Sequence, residues 1–314
     1  MDRADSRGFI RFDQFMDVAL YHPEEGYYRR QRERVGRSAS SDFYTASSLG
    51  PVFGELVTAC CLNKLGDHAP GEFEFIEIGA EKGHTVLDGI EHPFAKVRAI
   101  GPGQKIAVSG KSIVFSNELF DAQPCRRFRG TEAGWVELGV NVEDHNLVAA
   151  ETVPQTPPAE LPQNHLAGYH LDLPFAARDL ATALAAQSWQ GLFIAFDYGK
   201  SWRELSEETP QGTVRAYHHH RQSNALLEHV GEQDLTCHVC WDWLAESLQK
   251  EGFSVDPVAS QEAFLVKNAA TALAQIMAEE AQGISERKSG LLQLLHPSAL
   301  GQKFQVLSAW REDL

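Results

Sequence analysis

The sequence contains little cysteine. Its five cysteines are Cys60, Cys61, Cys125, Cys237 and Cys240. An odd and sparse set does not build a disulfide framework, so we expect a protein from a reducing compartment. Cys237 and Cys240 form a single C-x-x-C motif. Without a second pair, and even with three histidines at 218–220 upstream, this motif predicts no metal site.

Long apolar runs are also lacking. No stretch approaches the roughly 20 apolar residues that cross a bilayer as a helix. The N-terminal residues 1–6 include no apolar segment of the kind that directs secretion. We therefore predict a cytoplasmic protein without a membrane as partner.

Basic residues are outnumbered. The chain has 28 lysines and arginines against 43 acidic residues, a formal net charge of −15. Such a balance argues against nucleic acid or an anionic membrane as a partner, because both carry negative charge. A cationic substrate remains compatible with it. Nothing in the composition decides whether the chain forms a homodimer, which stays open.

The G-x-G-x-x-G fingerprint of dinucleotide-binding folds is missing, which disfavours an NAD-dependent oxidoreductase. Residues 73–84 stand in its place, with an apolar run, an acid and two glycines. This pattern predicts a strand, a tight turn and a short helix. Backbone N–H groups at a helix start favour a ligand carboxylate or phosphate, and glycine lets a ligand approach the main chain.

The glycine spacing narrows the choice of ligand. Glu77-x-Gly79-x-x-x-Gly83 is similar to the E-x-G-x-G-x-G loop of class I S-adenosylmethionine (SAM) methyltransferases, with Glu81 where the middle glycine would stand. The same residues are also compatible with any strand–turn–helix of an α/β protein.

Acidic residues follow two further predicted strands. Asn117, Glu118 and Asp121 come after the apolar residues 113–115, and Asp197 follows the fully apolar run 191–196. The carboxyl end of a parallel strand is where α/β folds bind ligands, and carboxylates there suit a cationic acceptor. The simpler alternative is that Asp121 caps a turn.

The remaining pattern predicts a chain of alternating helices and strands. We expect a hairpin insertion over 135–140 and 147–150, a second core strand over 97–100 and a vestigial strand over 105–108. Predicted helices cover 51–65, 175–187, 241–250 and 269–280, after a short amphipathic helix that opens at Phe12. Late strands are expected near 262–266 and 303–309.

Several ordered motifs resemble the MidA-like family of SAM-dependent methyltransferases, which includes a mitochondrial complex I assembly factor. The resemblance covers most of the chain. Its motifs are Phe12-x-x-Phe15-Met16-x-x-Ala19-Leu20-Tyr21-x-Pro23-x-x-Gly26-Tyr27-Tyr28, Asp42-Phe43-Tyr44-Thr45, Pro51-x-Phe53-Gly54, the Glu77 turn, Asn117-Glu118-Leu119-Phe120-Asp121-Ala122-x-Pro124, Asp197-Tyr198-Gly199, Gly212-Thr213-x-Arg215-Ala216-Tyr217 and Asp234-Leu235-Thr236-x-His238-Val239.

The resemblance implies a fold, a cofactor and a reaction. The fold would be α/β, a Rossmann-like class I methyltransferase domain over 71–314 with an insertion near 126–165, preceded by an N-terminal helical cap over 1–70. The cofactor would be S-adenosyl-L-methionine, and the methyl group would pass to a protein substrate, at arginine.

The resemblance also implies site residues. Glu118 and Asp121 would clamp the acceptor guanidinium, and Asp234 and His238 would complete its pocket or take the proton that leaves. The residues expected near the cofactor are Asp42, Thr45, Glu77, Gly79, Gly83 and Asn117. For Asp42 and Thr45 the alternative is local capping.

Four departures from the family lie on the cofactor side, among them Ser41 in place of the glycine before Asp42 and a truncated following helix. Glu81 replaces the middle glycine, and Gly101 stands where the family has a ribose-binding acid. Losing a bidentate ribose contact and gaining a misplaced carboxylate would weaken SAM binding by roughly three orders of magnitude. A second hypothesis is therefore a catalytically silent relative that acts as a binding or assembly factor.

Overall fold

The computed structural model describes residues 4–5, 8–30, 50–80, 84–219, 221–279 and 285–312. Within these ranges the α-helices are α1 (Phe12–Tyr21), α2 (Pro51–Leu65), α3 (Phe175–Ala185), α4 (Trp202–Glu207), α5 (Trp241–Lys250), α6 (Gln261–Asn268), α7 (Ala270–Glu279) and α8 (Glu286–Leu295). The strands are β1 (Ile10–Arg11), β2 (Glu74–Ile78), β3 (Lys96–Ile100), β4 (Gly110–Asn117), β5 (Arg126–Thr131), β6 (Gly134–Glu143), β7 (Asn146–Thr152), β8 (His170–Leu173), β9 (Trp189–Asp197), β10 (Gly199–Lys200), β11 (Arg215–His218), β12 (Arg221–Ser223), β13 (Asp234–Thr236), β14 (Val239–Cys240), β15 (Ser254–Val255), β16 (Ala259–Ser260) and β17 (Gln305–Arg311).

The central sheet has the strand order β3-β2-β4-β9-β17-β15, and β16 also pairs with β17. The first four strands of this order are parallel, and β17 runs antiparallel beside β9. Chain order reverses between β2 and β4, so their carboxyl ends form a topological switch point, where open α/β sheets bind ligands. The predicted Rossmann-like α/β fold is confirmed.

Helices cover both faces of this sheet, because its strands alternate apolar side chains between two cores. Phe75 of β2 packs with α2 and α6 on one face, and Ile76 and Ile78 pack with α3 and α5 on the other. This period of two, with apolar residues on both faces, is the pattern of a buried parallel sheet.

The connections on either side of β3 contain less regular secondary structure than the sequence predicted. Residues 84–95 form turns rather than the expected short helix, since Gly89 has a φ of +73° and Pro93 follows. The predicted strand over 105–108 is also wrong. Val108 instead donates its backbone N–H to the Gln187 side chain, 2.8 Å away, and enters the core without a strand partner among the described residues.

The predicted hairpin insertion is confirmed by β6 and β7, whose turn places Asp144 and His145 at positive φ. It belongs to a second, antiparallel sheet in which β6 also pairs with β5 and with β1, while β8 pairs with β5. Sequence patterns did not indicate this larger sheet, which ties the N-terminal segment to the insertion.

The late elements correct one prediction. Residues near 262–266 form helix α6 rather than a strand, because the buried residues Gln261, Phe264, Leu265 and Asn268 follow helical spacing. Ser260 caps the helix by accepting the N–H of Ala263 at 3.2 Å. The strand near 303–309 is confirmed as β17, and the helix over 269–280 as α7.

The division into a cap over 1–70 and a core over 71–314 stays a prediction. Helix α1 packs in a cluster with Val140, Ala216 and Leu235, whereas α2 packs directly against the central sheet. No helix within the described ranges has the length and apolar composition to cross a membrane.

Candidate active site

A cavity of about 340 Å³ opens at the carboxyl ends of β2, β3 and β4. Its walls include Ile78, Gly79, Ile100, Gln104 and Glu118. Small-molecule sites have volumes of roughly 300–1,000 Å³ and mostly apolar walls with a few polar groups. The cavity lies at the switch point of the sheet and has the size and lining of such a site.

Gly79 and Glu77 shape the tip of β2 in different ways. Gly79 has a φ of +85°, and a Cβ on it would lie 3.0 Å from Leu119 Cδ1, so glycine leaves bare backbone at the cavity wall. The buried Glu77 carboxylate accepts the Val86 N–H at 2.6 Å and ties the strand to the segment after the turn. Burial raises the pKa of Glu77 to about 7.

Three of the residues expected near the cofactor lie outside the described ranges, as does Glu81. The three are Asp42, Thr45 and Gly83. Their expected roles beside the cofactor stay predictions.

Gln104 is a cavity residue that sequence reasoning missed. Its Oε1 accepts the Gly101 N–H at 2.8 Å, which closes the turn after β3 and brings the amide side chain to the cavity. The turn begins at Gly101, the position at which the family was expected to carry its ribose-binding acid. The only sequence signal was the Gly-Pro-Gly-Gln turn itself, which does not say where the glutamine side chain lies.

Asn117 and Glu118 bring polar atoms to the end of β4. Glu118 has a φ of +53°, a conformation that costs a non-glycine residue roughly 1–3 kcal/mol and tends to occur at functional sites. Asn117 Nδ2 donates to Glu118 Oε1 at 3.0 Å. The buried Asn117 Oδ1 has no hydrogen-bond partner among the described residues.

Asp197 organises the turn that carries Asp121. Its carboxylate accepts the backbone N–H groups of Leu119, Phe120, Asp121 and Tyr198 over 2.8–3.3 Å. The sequence showed an acid at the end of β9 but not this role, which depends on β9 lying beside β4.

Asp121 and Asp197 are neighbouring buried carboxyl groups. Asp121 is buried, and burial together with the charges of Asp197, Glu118 and Asp234 raises its pKa well above the ordinary value. Burial raises the pKa of Asp197 to about 7, but its four amide donors oppose that effect and favour its ionised form. The shared proton at neutral pH is therefore assigned to Asp121.

Asp234 lies behind an aromatic wall of the cavity. Tyr28, which lines the cavity, donates its hydroxyl to Asp234 Oδ1 at 2.9 Å and stacks on Tyr21 with ring centroids 5.5 Å apart. Burial and the Asp234 charge raise the pKa of both tyrosines, so they remain neutral donors. Across the β11–β13 pairing, Tyr217 lies opposite Asp234.

His238 lies apart from these carboxylates. Its backbone N–H donates to Thr213 Oγ1 at 3.3 Å. Burial, with the charges of Lys200 and Arg215, lowers the pKa of His238 to about 4, so the imidazole is neutral and a weak base near pH 7. The structure thus brings Glu118, Asp121 and Asp234 into electrostatic contact and leaves His238 outside that group.

The C-x-x-C motif does not belong to a metal-binding cluster among the described residues. Within the described ranges, no group of three or more His, Cys, Asp or Glu side chains is arranged to hold a metal ion. Cys237 and Cys240 are buried free thiols.

Comparison with known proteins adds family evidence. Residues 102–258 match the model of a family described as "Putative S-adenosyl-L-methionine-dependent methyltransferase". The chain is 21% identical to "Protein arginine methyltransferase NDUFAF7, mitochondrial" of Xenopus laevis, over 96% of this chain and 81% of that protein. The human protein of the same name is 21% identical over 98% of this chain and 81% of its own length.

Solved structures resemble the whole chain. A superfamily member from Burkholderia thailandensis, crystallised with S-adenosyl-homocysteine, has a TM-score of 0.85 and 26% identity over 98% of this chain and 89% of its own. A second structure from that organism has a TM-score of 0.79 and 23% identity over 98% and 88% of the two chains.

One sequence-based prediction is wrong by these comparisons. A cytoplasmic location was expected from the lack of a secretory or membrane segment, but the frog and human relatives are named as mitochondrial proteins. The absence of those segments could not separate the cytoplasm from an organelle.

Proposed function

The chain belongs to the MidA-like family of S-adenosyl-L-methionine-dependent methyltransferases, and from this membership we propose that it methylates arginine side chains of a protein substrate. The frog and human relatives carry the name protein arginine methyltransferase. The observation that carries the proposal is the cavity at the switch point, with the carboxylates of Glu118, Asp121 and Asp234 beside it.

The cavity residues fit the cofactor. Ile78, Ile100 and Leu119 offer apolar surface for an adenine ring, Gly79 offers exposed backbone, and Gln104 offers an amide where the family acid is absent. The volume of about 340 Å³ suits a nucleoside with an amino-acid side chain. Bound SAM supplies an electrophilic methyl group on a positively charged sulfur.

The carboxylates suit a guanidinium. Charge-assisted hydrogen bonds to carboxylate oxygens hold a guanidinium in a fixed plane, which aligns its nitrogen for an in-line transfer. Glu118 lines the cavity. Asp234 lies behind the cavity residue Tyr28 and accepts a hydrogen bond from its hydroxyl. We assign these two side chains to acceptor orientation.

Asp121 is proposed as the proton acceptor. An arriving guanidinium lowers the pKa of the buried Asp121 carboxyl and expels its proton to water. In the transfer the carbon–sulfur bond to the methyl group would break as the carbon–nitrogen bond forms, and the acceptor nitrogen would release one proton. An ionised Asp121, crowded by Asp197, Glu118 and Asp234, binds that proton well, whereas His238 with a pKa of about 4 binds it poorly.

Calorimetric titration with SAM, paired with transfer of a labelled methyl group to an arginine peptide, tests the proposal. Micromolar affinity and label in arginine are the expected results. No heat at millimolar SAM would refute the enzyme and leave the binding or assembly factor that Glu81 and Gly101 suggested from the sequence.

A pair of glycine variants locates the cofactor. Gly79→Ala adds a methyl group at the cavity wall and should weaken SAM binding about tenfold, a cost of about 1.4 kcal/mol. Gly110→Ala is the matched control, since Gly110 also has a positive φ, +65°, but its Cβ would meet no atom within 4 Å. Equal affinities in the two variants would place the cofactor elsewhere.

A further inference from the structure

The loop 212–214 is held by a buried aspartate from the second sheet. Asp172 of β8 is 2% exposed, and its Oδ2 accepts the N–H groups of Thr213 at 2.5 Å and Val214 at 3.0 Å. Its Oδ1 accepts Arg127 Nε at 2.8 Å. The Arg127 charge and these N–H donors outweigh burial and lower the pKa of Asp172 below its ordinary value. The carboxylate is therefore a fixed anion at neutral pH.

The fit between Asp172 and this loop is tight. Gly212 has a φ of +63°, and a Cβ on it would lie 2.5 Å from Asp172 Oδ2. Only glycine allows the backbone to pass this close to the carboxylate. This explains a glycine in the Gly212-Thr213 motif that the sequence singled out without a role.

The loop contacts the acceptor side of the site through Thr213. Thr213 Oγ1 accepts the His238 N–H at 3.3 Å and lies 3.6 Å from Cys237 Sγ. The preceding backbone N–H, that of Cys237, donates to the backbone oxygen of Asp121 at 2.8 Å. Asp172 is therefore linked to the backbone of Asp121 through Thr213 and the main chain of residues 237–238.

The same loop also leads into the strand beside Asp234. Val214 precedes β11, whose Tyr217 pairs with Asp234 of β13. Fixing the N–H of Val214 fixes the start of β11, and the ladder transmits that position to Asp234. One carboxylate thus sets the backbone next to both acidic residues.

We propose that Asp172 is a positioning residue for the acceptor pocket, acting through Thr213 on Asp121 and through β11 on Asp234. The proposal rests on the proposed arginine methyltransferase function. Asp172 touches neither the cavity nor the reacting atoms. A displacement of about 1 Å in a reacting group can cost on the order of a hundredfold in rate, so we expect its loss to affect the acceptor far more than the cofactor.

A second ion pair in the same sheet provides a matched control. Glu137 of β6 is 4% exposed and accepts Arg126 Nε at 2.7 Å and Nη2 at 2.9 Å. Arg126 and Arg127 are neighbours on β5, but Glu137 also lies near Arg11 and has no contact with the loop 212–214 among the described residues. Glu137→Gln thus removes a comparable buried charge without touching the loop.

The test compares Asp172→Asn with Glu137→Gln in the full chain. We expect Asp172→Asn to raise KM for an arginine peptide about tenfold or more and to leave the Kd for SAM within about twofold of the unmodified protein. Glu137→Gln should leave both constants unchanged apart from any loss of folded protein. Equal effects of the two variants on KM, or an equal loss of SAM affinity and peptide turnover in Asp172→Asn, would overturn the proposal.

Hydrogen exchange provides a readout that does not need activity. Asp172→Asn should speed exchange of the Cys237 amide about tenfold or more, whereas Glu137→Gln should not. Thr213→Val, which keeps the Asp172 contacts to the backbone but removes the hydroxyl, serves if Asp172→Asn fails to fold and should speed the same amide. An unmodified protein without methyl transfer refutes the proposed function, while unchanged exchange in the variants refutes the positioning role.

Discussion

Two carboxylates on strand β2 should respond to pH in opposite directions. Glu77 is buried with the Val86 N–H at 2.6 Å, and burial raises its pKa from 4.5 to about 7. Glu74, on the same strand, accepts Arg98 Nε at 3.0 Å and Nη2 at 3.2 Å. These hydrogen bonds lower the pKa of Glu74. Strand β2 therefore carries one carboxyl group whose ionisation the fold disfavours, Glu77, and one whose ionisation the fold favours, Glu74.

The direction in which stability changes with pH follows from the difference between the folded-state and unfolded-state pKa of each group. Glu77 titrates higher in the folded state than in the unfolded chain, so its contribution to stability is complete below about pH 4.5 and is lost as the pH rises through 7. A pKa difference of about 2.5 pH units corresponds to about 3.4 kcal/mol in the free energy of unfolding. About 2.5 kcal/mol of this falls between about pH 5 and about pH 8.5.

The assay is urea unfolding of the unmodified protein, Glu77→Gln and Glu74→Gln across this range. Glu77→Gln should gain about 2.5 kcal/mol relative to the unmodified protein on going from about pH 5 to about pH 8.5. Glu74→Gln should differ from the unmodified protein by a nearly constant amount across this range, because the stabilisation of ionised Glu74 is already complete above its ordinary pKa and is lost only as the pH falls through its lower folded-state pKa. A difference for Glu77→Gln that does not change with pH would refute the reasoning.

Two further variants probe the acceptor side. Asp121→Asn should abolish methyl incorporation yet raise the melting temperature at about pH 8, because burial and neighbouring charges raise the pKa of Asp121 and its contribution to stability is lost as the pH rises through that value; turnover that persists would remove it as the base. Tyr28→Phe removes the hydroxyl donor to Asp234, a charged hydrogen bond worth about 1.5–3 kcal/mol, and should raise KM for the arginine peptide about tenfold or more. An unchanged KM would separate Asp234 from acceptor binding.

The sequence predicted local features best. The hairpin β6–β7, helix α5 and the buried strand β9 followed from alternation and helical spacing over nearby residues. The stretch 262–266 failed because a short apolar run is compatible with a strand or a helix, and the deciding residues, Gln261 and Asn268, are polar. Their burial depends on the packing of α6 against α8, which is a tertiary contact that local sequence does not reveal.

The sequence predicted candidate site residues at the ends of strands, but not residues that approach one another only through the fold. Glu118 and Asp121 could be placed because acids at strand ends face the ligand edge of a parallel sheet. The roles of Asp197 and Asp172 depend on contacts to segments 76 to 78 and 41 to 42 residues away along the chain. Local sequence patterns do not predict hydrogen bonds between residues so far apart along the chain.

The cost of the acidic cluster is itself an argument about the ligand. Asp197, Glu118 and Asp234 raise the pKa of the buried Asp121, so ionising Asp121 beside them costs free energy, and an apolar replacement would be expected to stabilise the fold. A neutral ligand would leave that repulsion in place, whereas a guanidinium offsets it and is held by the same charges. Binding should therefore be tighter for an arginine peptide than for its citrulline counterpart, which keeps the shape but lacks the charge. Equal affinities, measured by calorimetry at about pH 8, would mean that these carboxylates do not contact the acceptor.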